Sequence, residues 1–340
     1  MAVQKYGLDL GTENIKLSHF PQGMILCEKN LVAAKKKQEI VAFGDAAYDI
    51  YERASDNIRI TYPIFQGVIA GLTDMKQILD LFLKKAKCSN GFISGNAFYF
   101  SVPSDVTEVE KRAFFDVALS SQFKSKDAFI VEKPMAAVVG EGVDLLHSPG
   151  VMVIDMGAGT TEVSILAQGG IVLSRLLKMG GNTIDDQIQL EVKTRYNLLI
   201  GRKTAESLKL SLGSAILGGR STQKVLGRDM VTGLPAEAAV DSRVICACVR
   251  RILKEITASV RSLLERIPPE VIHSILSTGI HVTGGVSQTE NLETYLKQEL
   301  ALPIQMSEHP LESTVRGLTK IMSEPSLSGL AYSIKESIFS

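Results

Sequence analysis

The sequence predicts an α/β protein of two lobes closing on a shared cleft, and three observations predict it. A short pattern occurs twice: Gly7-Leu8-Asp9-Leu10-Gly11-Thr12-Glu13-Asn14 before Ile15-Lys16-Leu17, and Val153-Ile154-Asp155-Met156-Gly157-Ala158-Gly159-Thr160-Thr161-Glu162 before Val163-Ser164-Ile165. Strands and helices follow each copy on a similar plan. A length of 340 residues also exceeds what one hydrophobic core usually organises.

Each copy reads as an apolar strand, an Asp at its end, a Gly/Thr turn and a second strand. A glycine turn lets backbone N–H groups approach an anion, because no Cβ stands in the way. The hydroxyls of Thr12, Thr160 and Thr161 add donors, and an Asp ending a buried strand suits Mg²⁺ with its water shell. Two such hairpins facing each other would clamp the phosphates of a nucleotide.

The elements follow in order. Residues 5–10, 15–20 and 24–27 read as a meander, and the more polar 30–72 as an inserted small subdomain. Ile78, Leu79, Leu81, Phe82 and Leu83 give residues 75–86 the apolar face of a helix. A strand at 98–102 ends at Pro103. Thr107 with Glu110 forms a capping-box pattern for a helix reaching about Ser121. A strand at 129–131 runs into Pro134 and a helix. In the second half, strands are expected at 151–155, 161–167 and 170–177, and helices near 183–196 and 203–213. Residues 214–238 are Gly- and turn-rich. Val244, Ile245, Cys248, Ile252, Ile256, Val260 and Leu263 mark a long helix from about 241 to 267, stopped by Pro268-Pro269. A strand near 279–283 leads into Thr283-Gly284-Gly285 and a helix over about 289–300. Leu327, Leu330, Ala331, Ile334 and Ile338 predict an amphipathic helix after Pro325, packed on the first lobe or docked on a membrane or partner.

Composition excludes some function classes. Lys+Arg and Asp+Glu both number 37, so no global field favours nucleic acid or an anionic membrane. The four cysteines lack zinc-like spacing and read as reduced thiols, Cys246 and Cys248 within a helical apolar run. The first strand begins almost at the start, without a signal peptide, and no apolar run is long enough to span a bilayer. The expected location is the cytoplasm.

The two phosphate turns, the Thr283-Gly284-Gly285 turn and their order resemble the actin, hexokinase and heat-shock chaperone ATPase superfamily. Within it, further stretches resemble the MreB bacterial actins: Val102-Pro103 with Thr107-Glu108-Val109-Glu110-Lys111-Arg112-Ala113, Pro134-Met135-Ala136-Ala137, Thr204-Ala205-Glu206 with Lys209, Gly227-Arg228-Asp229 with Gly233-Leu234-Pro235, Pro268-Pro269-Glu270 and Arg316-Gly317. The resemblance implies a two-lobed actin-like (duplicated RNase H-like) fold with a nucleotide cleft between the lobes. Lobe I would hold residues 1–145 and 317–340, with a small subdomain at about 30–72. Lobe II would hold 146–316, with an inserted subdomain at about 180–240.

The resemblance also implies roles. Thr12, Glu13 and Asn14 would cradle phosphates, opposed by Gly157, Gly159, Thr160 and Thr161, with Gly180-Gly181 on the γ-phosphate side. Glu206 and Lys209, on one helix face, would meet ribose and adenine, and Gly284, Gly285 and Val286 the adenine. Asp9 and Asp155 would hold Mg²⁺, largely through water. The implied cofactors are ATP and Mg²⁺. The implied partners are further copies in a filament, the inner-membrane surface and membrane proteins of cell-wall synthesis, with no nucleic acid.

Departures from the family pattern bear on activity. Glu132-Lys133-Pro134 puts Lys133 where a carboxylate should polarise the attacking water, and an ammonium cannot accept a proton. Slow or altered hydrolysis is therefore expected, with Thr160 and a swung-in Glu132 as the candidate catalytic residues. Ala158 and Val286 replace loop glycines, Leu318 and Thr319 replace small residues near the cleft, and Glu13 replaces Ala and is expected to face solvent. Phe92 and Ile93, in Asn90-Gly91-Phe92-Ile93-Ser94-Gly95, form a candidate membrane loop; packing into their own lobe is the alternative. Three other classes remain open: a small-molecule kinase, a chaperone ATPase lacking its peptide-binding domain, and a pilus-type assembly scaffold for which Lys133 would be natural.

Overall fold

The computed structural model describes residues 3–35, 39–55, 57–91 and 95–333. In the first half, strands β1 (Gln4–Leu10), β2 (Asn14–His19) and β3 (Gly23–Lys29) form the expected meander. Then come β4 (Val32–Lys35), β5 (Ile40–Phe43), helix α1 (Asp45–Ile50), β6 (Ile58–Thr61), β7 (Ile64–Phe65) and β8 (Val68–Ile69), which make two small sheets. Helix α2 (Leu72–Lys85), β9 (Asn96–Val102), α3 (Glu108–Ser120), β10 (Ser125–Glu132) and α4 (Lys133–Gly140) complete this half. The capping box forms as read: Thr107 Oγ1 accepts from the Glu110 N–H, and the Glu110 carboxylate accepts from the Thr107 N–H.

The second half runs β11 (Val151–Met156), β12 (Thr161–Ala167), β13 (Gly170–Leu177), α5 (Gly181–Tyr196), β14 (Leu198–Leu199), α6 (Arg202–Leu212), β15 (Thr222–Asp229) and β16 (Pro235–Asp241). It continues with α7 (Ser242–Leu264), α8 (Pro269–Thr278), β17 (Ile280–Thr283), α9 (Leu292–Leu300), β18 (Ile304–Met306), α10 (Ser313–Ser323) and β19 (Ala331–Tyr332).

Two sheets anchor two lobes. One has the order β19-β10-β9-β1-β2-β3, the other β13-β12-β11-β17-β18. Their plans correspond. In each, the Asp-bearing strand pairs antiparallel with the strand after its glycine turn and parallel with a later strand, so Asp9 lies between Lys16 and Ser101, and Asp155 between Glu162 and Thr283. Each lobe has its own apolar core. One is built on Phe82, Phe98, Phe100 and Phe114, the other on Ile154, Ile188, Val249 and Leu253. Between the lobes a third cluster joins Val131, Ala136, Ala137, Val151, Val153, Leu318 and Leu330.

That third cluster depends on close approach of α4 and α10. A Cβ on Gly317 would fall 1.7 Å from the Ala136 carbonyl oxygen, and one on Gly140 would fall 1.9 Å from the Ser313 carbonyl oxygen. Only bare backbone lets these helices cross at that distance.

Four expectations change. Residues 214–238 hold most of the β15–β16 hairpin, because Val225 and Val240 pack under it while Lys224, Leu226, Arg228 and Glu237 stand exposed on its outer face. Pro268-Pro269 end α7 but also open α8, with Pro269 at its first position, where a missing N–H costs nothing. Leu318 lies in the core beside Gly7, and Thr319 Oγ1 donates to the Val315 carbonyl, so neither lines the cleft. After Pro325 the chain forms a 3₁₀ turn to Leu330 and then β19, which pairs with β10 at Ile130 and Val131, in place of an amphipathic helix. Leu330 is buried between the lobes, whereas Ile334 and Ile338 lie outside the described residues.

Candidate functional site

The two glycine turns are built alike. Gly11 N–H donates to Asn14 O at 3.1 Å, and Gly157 N–H donates to Thr160 O at 2.9 Å. They face each other: a Cβ on Gly159 would come 2.6 Å from Thr12 Oγ1, so the opposing turns touch where only glycine fits. Gly180 backs the second turn, with Gly181 N–H donating to Gly157 O and Asn182 N–H to Ala158 O.

Between the turns lies a cavity of about 420 Å³. Of the residues expected there, Asp9, Thr12, Glu13, Asn14, Asp155, Gly157, Gly159, Thr160, Gly181, Glu206, Lys209, Gly284, Gly285 and Val286 line it. Thr161, Gly180 and Glu132 are not among its lining residues. Thr161 Oγ1 donates to Met179 O instead, and Glu132 faces the Lys111 ammonium at 3.8 Å, its pKa raised by burial. Glu13 does not face solvent. It is mostly buried and pairs with Lys29 at 2.7 Å. Phe92 and Ile93 lie outside the described residues.

The far wall suits a flat ring. Gly284, at φ 86°, turns the chain so that it and Gly285 present backbone, with Val286, Leu210 and Leu311 adding apolar surface. Opposite, Glu206 accepts a hydrogen bond from the Tyr48 hydroxyl at 2.8 Å, and Lys209 pairs with Asp185 at 2.8 Å while donating to Gly181 O. Burial raises Asp185 to about 6 even though the Lys209 ammonium opposes it.

Sequence reasoning assigned no role to Lys16, Ser101 or Glu162, which structure the site, and did not foresee which carboxylate Lys133 meets. Lys16 pairs with Asp9 at 2.9 Å, and Asp9 Oδ1 accepts from Ser101 Oγ at 3.0 Å. Lys133 pairs with Asp155 at 2.8 Å. Burial alone would raise Asp9, but the Lys16 and Lys133 ammoniums outweigh it and hold the carboxyl down to about 2. Burial works against the charge of Lys133 too, yet Asp155 and Asp9 raise its pKa further. Glu162, also unassigned, reaches across to the other lobe: Ser104 N–H donates to its Oε1 at 2.8 Å, and the Ser104 hydroxyl donates to the same atom. Its other oxygen is buried without a hydrogen-bond partner, and burial pushes the carboxyl up to about 7. One signal was present in the sequence. Lys16 and Glu162 occupy the same place in the two repeats, directly across the strand pair from the Asp.

These residues do not fit a divalent cation. Among the described residues no group of three or more His, Cys, Asp or Glu side chains is placed to hold one. The two aspartates expected to receive Mg²⁺ are each engaged by an ammonium. At an effective dielectric constant near 20, a unit charge about 4 Å from another costs or gains about 4 kcal/mol. Lys16 and Lys133 offset the charge of Asp9 and Asp155, so a dication placed there gains no net attraction from the four groups.

Comparison with known proteins agrees with this architecture. The profile of the MreB/Mbl protein family matches residues 3–328. The cell shape-determining protein Mbl of Bacillus cereus is 33% identical over 326 residues, covering 95% of this chain and 97% of Mbl. The cell shape-determining protein MreB of Escherichia coli K12 is 32% identical over 316 residues, covering 91% and 90%. MreB5 of Spiroplasma citri, crystallised with AMPPNP, superposes with a TM-score of 0.89 at 31% identity over 99% of both chains. MamK, solved as a double helical filament, shares the fold with a TM-score of 0.80 at 21% identity, over 94% of this chain and 99% of MamK. By family profile, identity over nearly the whole length and shared two-lobed architecture, the chain belongs to the MreB/Mbl family of actin-like cell-shape proteins.

Proposed function

We propose that this protein binds ATP in the cleft between its glycine turns and assembles into filaments that organise cell-wall synthesis at the membrane. In this reading, residues 1–145 with 317–340 and residues 146–316 move as two lobes about the bound nucleotide. The observation that carries it is the contact between the Thr12 and Gly159 turns beside a cavity with backbone-lined and apolar walls. That cavity has room for a nucleotide's phosphates at one end and a base at the other. The S. citri MreB5 structures with AMPPNP and ADP support the same assignment.

Hydrolysis is slow in this proposal. A general base must accept a proton from water, and Lys133 holds an ammonium where the base would stand, while Glu132 is turned toward Lys111. Among the described residues no helix is long and apolar enough to cross a membrane. Membrane contact would therefore be peripheral, with Phe92 and Ile93 as its proposed anchor. Pelleting with and without ATP tests assembly, and liposome co-sedimentation of wild type against Phe92→Ser/Ile93→Ser tests the anchor. Sedimentation that ATP does not change would refute the polymer reading.

A further inference from the structure

Asp9 and Asp155 end equivalent strands of the two lobes, and each carries a lysine of its own. The lysines arrive by different routes. Lys16 stands across the β1–β2 pair from Asp9, whereas Lys133 is the first residue of α4. Both ammoniums sit within 3 Å of a carboxylate oxygen, at 2.9 and 2.8 Å, and all four residues line the cavity. Their side chains are at most one-fifth exposed. An ammonium at a helix N-terminus opposes the helix dipole, so Lys133 is held at the start of α4 by the two carboxylates it faces.

Three of the four carboxylate oxygens are already engaged. Asp9 spends one oxygen on Lys16 and the other on Ser101. Asp155 spends one on Lys133, and its other lies close against Gly284, 2.5 Å from where a Cβ would stand. Mg²⁺ keeps an octahedral shell of oxygens at about 2.0–2.1 Å and sheds water reluctantly. To sit here it would have to displace both ammoniums. Two ammoniums bring the same charge as one Mg²⁺. Each has three N–H donors, one directed at its Asp, so donors remain for phosphate oxygens.

We infer that Lys16 and Lys133 together replace the divalent cation, so that the cleft takes the nucleoside triphosphate as a metal-free polyanion clamped between two ammonium groups. The inference rests on the nucleotide reading proposed above. It also adds to the slow hydrolysis, because the γ-phosphate loses a Lewis acid as well as a base.

The test is a fluorescence titration of the full chain with MANT-ATP, in EDTA and in excess Mg²⁺. The expected Kd in EDTA lies within about threefold of that in Mg²⁺. Binding weakened more than about tenfold by EDTA overturns the inference while leaving the nucleotide reading intact. Absence of binding in both conditions overturns the nucleotide reading itself, and the inference with it. Lys133→Gln frees Asp155 and is expected to bring back a metal dependence of about tenfold or more. A folded Lys133→Gln chain, checked by its thermal melt, that stays indifferent to Mg²⁺ also counts against the inference. Should that variant not fold, the wild-type comparison decides alone.

Discussion

Lys133 and Glu162 show how single side chains set the behaviour of the cleft. General-base catalysis is commonly worth about 10²–10⁴-fold. Lys133→Glu is therefore expected to raise ATP turnover in Mg²⁺ by at least about tenfold, measured by phosphate release; an unchanged rate would show that Lys133 does not limit hydrolysis. Glu162 gives a pH effect whose sign follows from its shift. Its folded-state pKa, about 7, lies above the usual 4.5, because burial favours the neutral acid against the opposing Ser104 bonds and the Lys133 charge, with Asp155 adding to the rise. Stability from the protonated form is thus complete below about pH 4.5 and is lost as pH rises through about 7. Melting temperature should fall between pH 5 and pH 8 in wild type, and Glu162→Gln should flatten that fall. Asp9 acts oppositely and only in acid, its contribution disappearing as pH drops from 3.8 toward about 2.

At the scale of elements, helices with regular apolar spacing were readable and short or strapped elements were not. α7 follows its periodic Val244, Ile245, Cys248, Ile252, Ile256, Val260 and Leu263, all buried. α3 starts where its capping box says, and Thr107→Ala should cost about 1 kcal/mol in denaturant unfolding. α10 is as amphipathic as α7, burying Val315, Leu318, Ile321 and Met322, yet it went unread because its Gly317 weakens the helical signal. That glycine reads instead as the crossing point with α4. Gly317→Ala should destabilise the fold by at least about 2 kcal/mol, since the new methyl meets the fixed backbone of Ala136. A neutral Gly317→Ala melt would mean the helices can separate freely. The end of the chain misled for a related reason: Leu327, Leu330 and Ala331 keep helical spacing, but their partners are the interlobe core and the free edge of β10, which no periodicity reveals.

For the whole molecule, the paired turns were legible because glycine, threonine and aspartate recur at matched positions. The charge arrangement inside the cleft was less so. Lys16 against Asp9 and Lys133 against Asp155 are tertiary pairs, and a sequence shows a lysine without showing which carboxylate it meets. The ties across the cleft were equally hidden. Tyr48 donates to Glu206, Lys203 donates to the Tyr48 carbonyl at 2.5 Å, and Ser104 donates to Glu162, so the lobes are latched at more than one level. Tyr48→Phe removes one latch and frees Glu206, and should change nucleotide affinity with little effect on the melt; an unchanged affinity would show that Glu206 does not face the ligand.

The most direct measurement is a crystal structure of the full chain grown with AMPPNP. The triphosphate should lie between the Thr12–Asn14 turn and the Gly157–Thr160 turn, with the base against Gly284 and Gly285. Nucleotide density anywhere else, or an empty cleft at saturating AMPPNP, would contradict the assignment of this cleft.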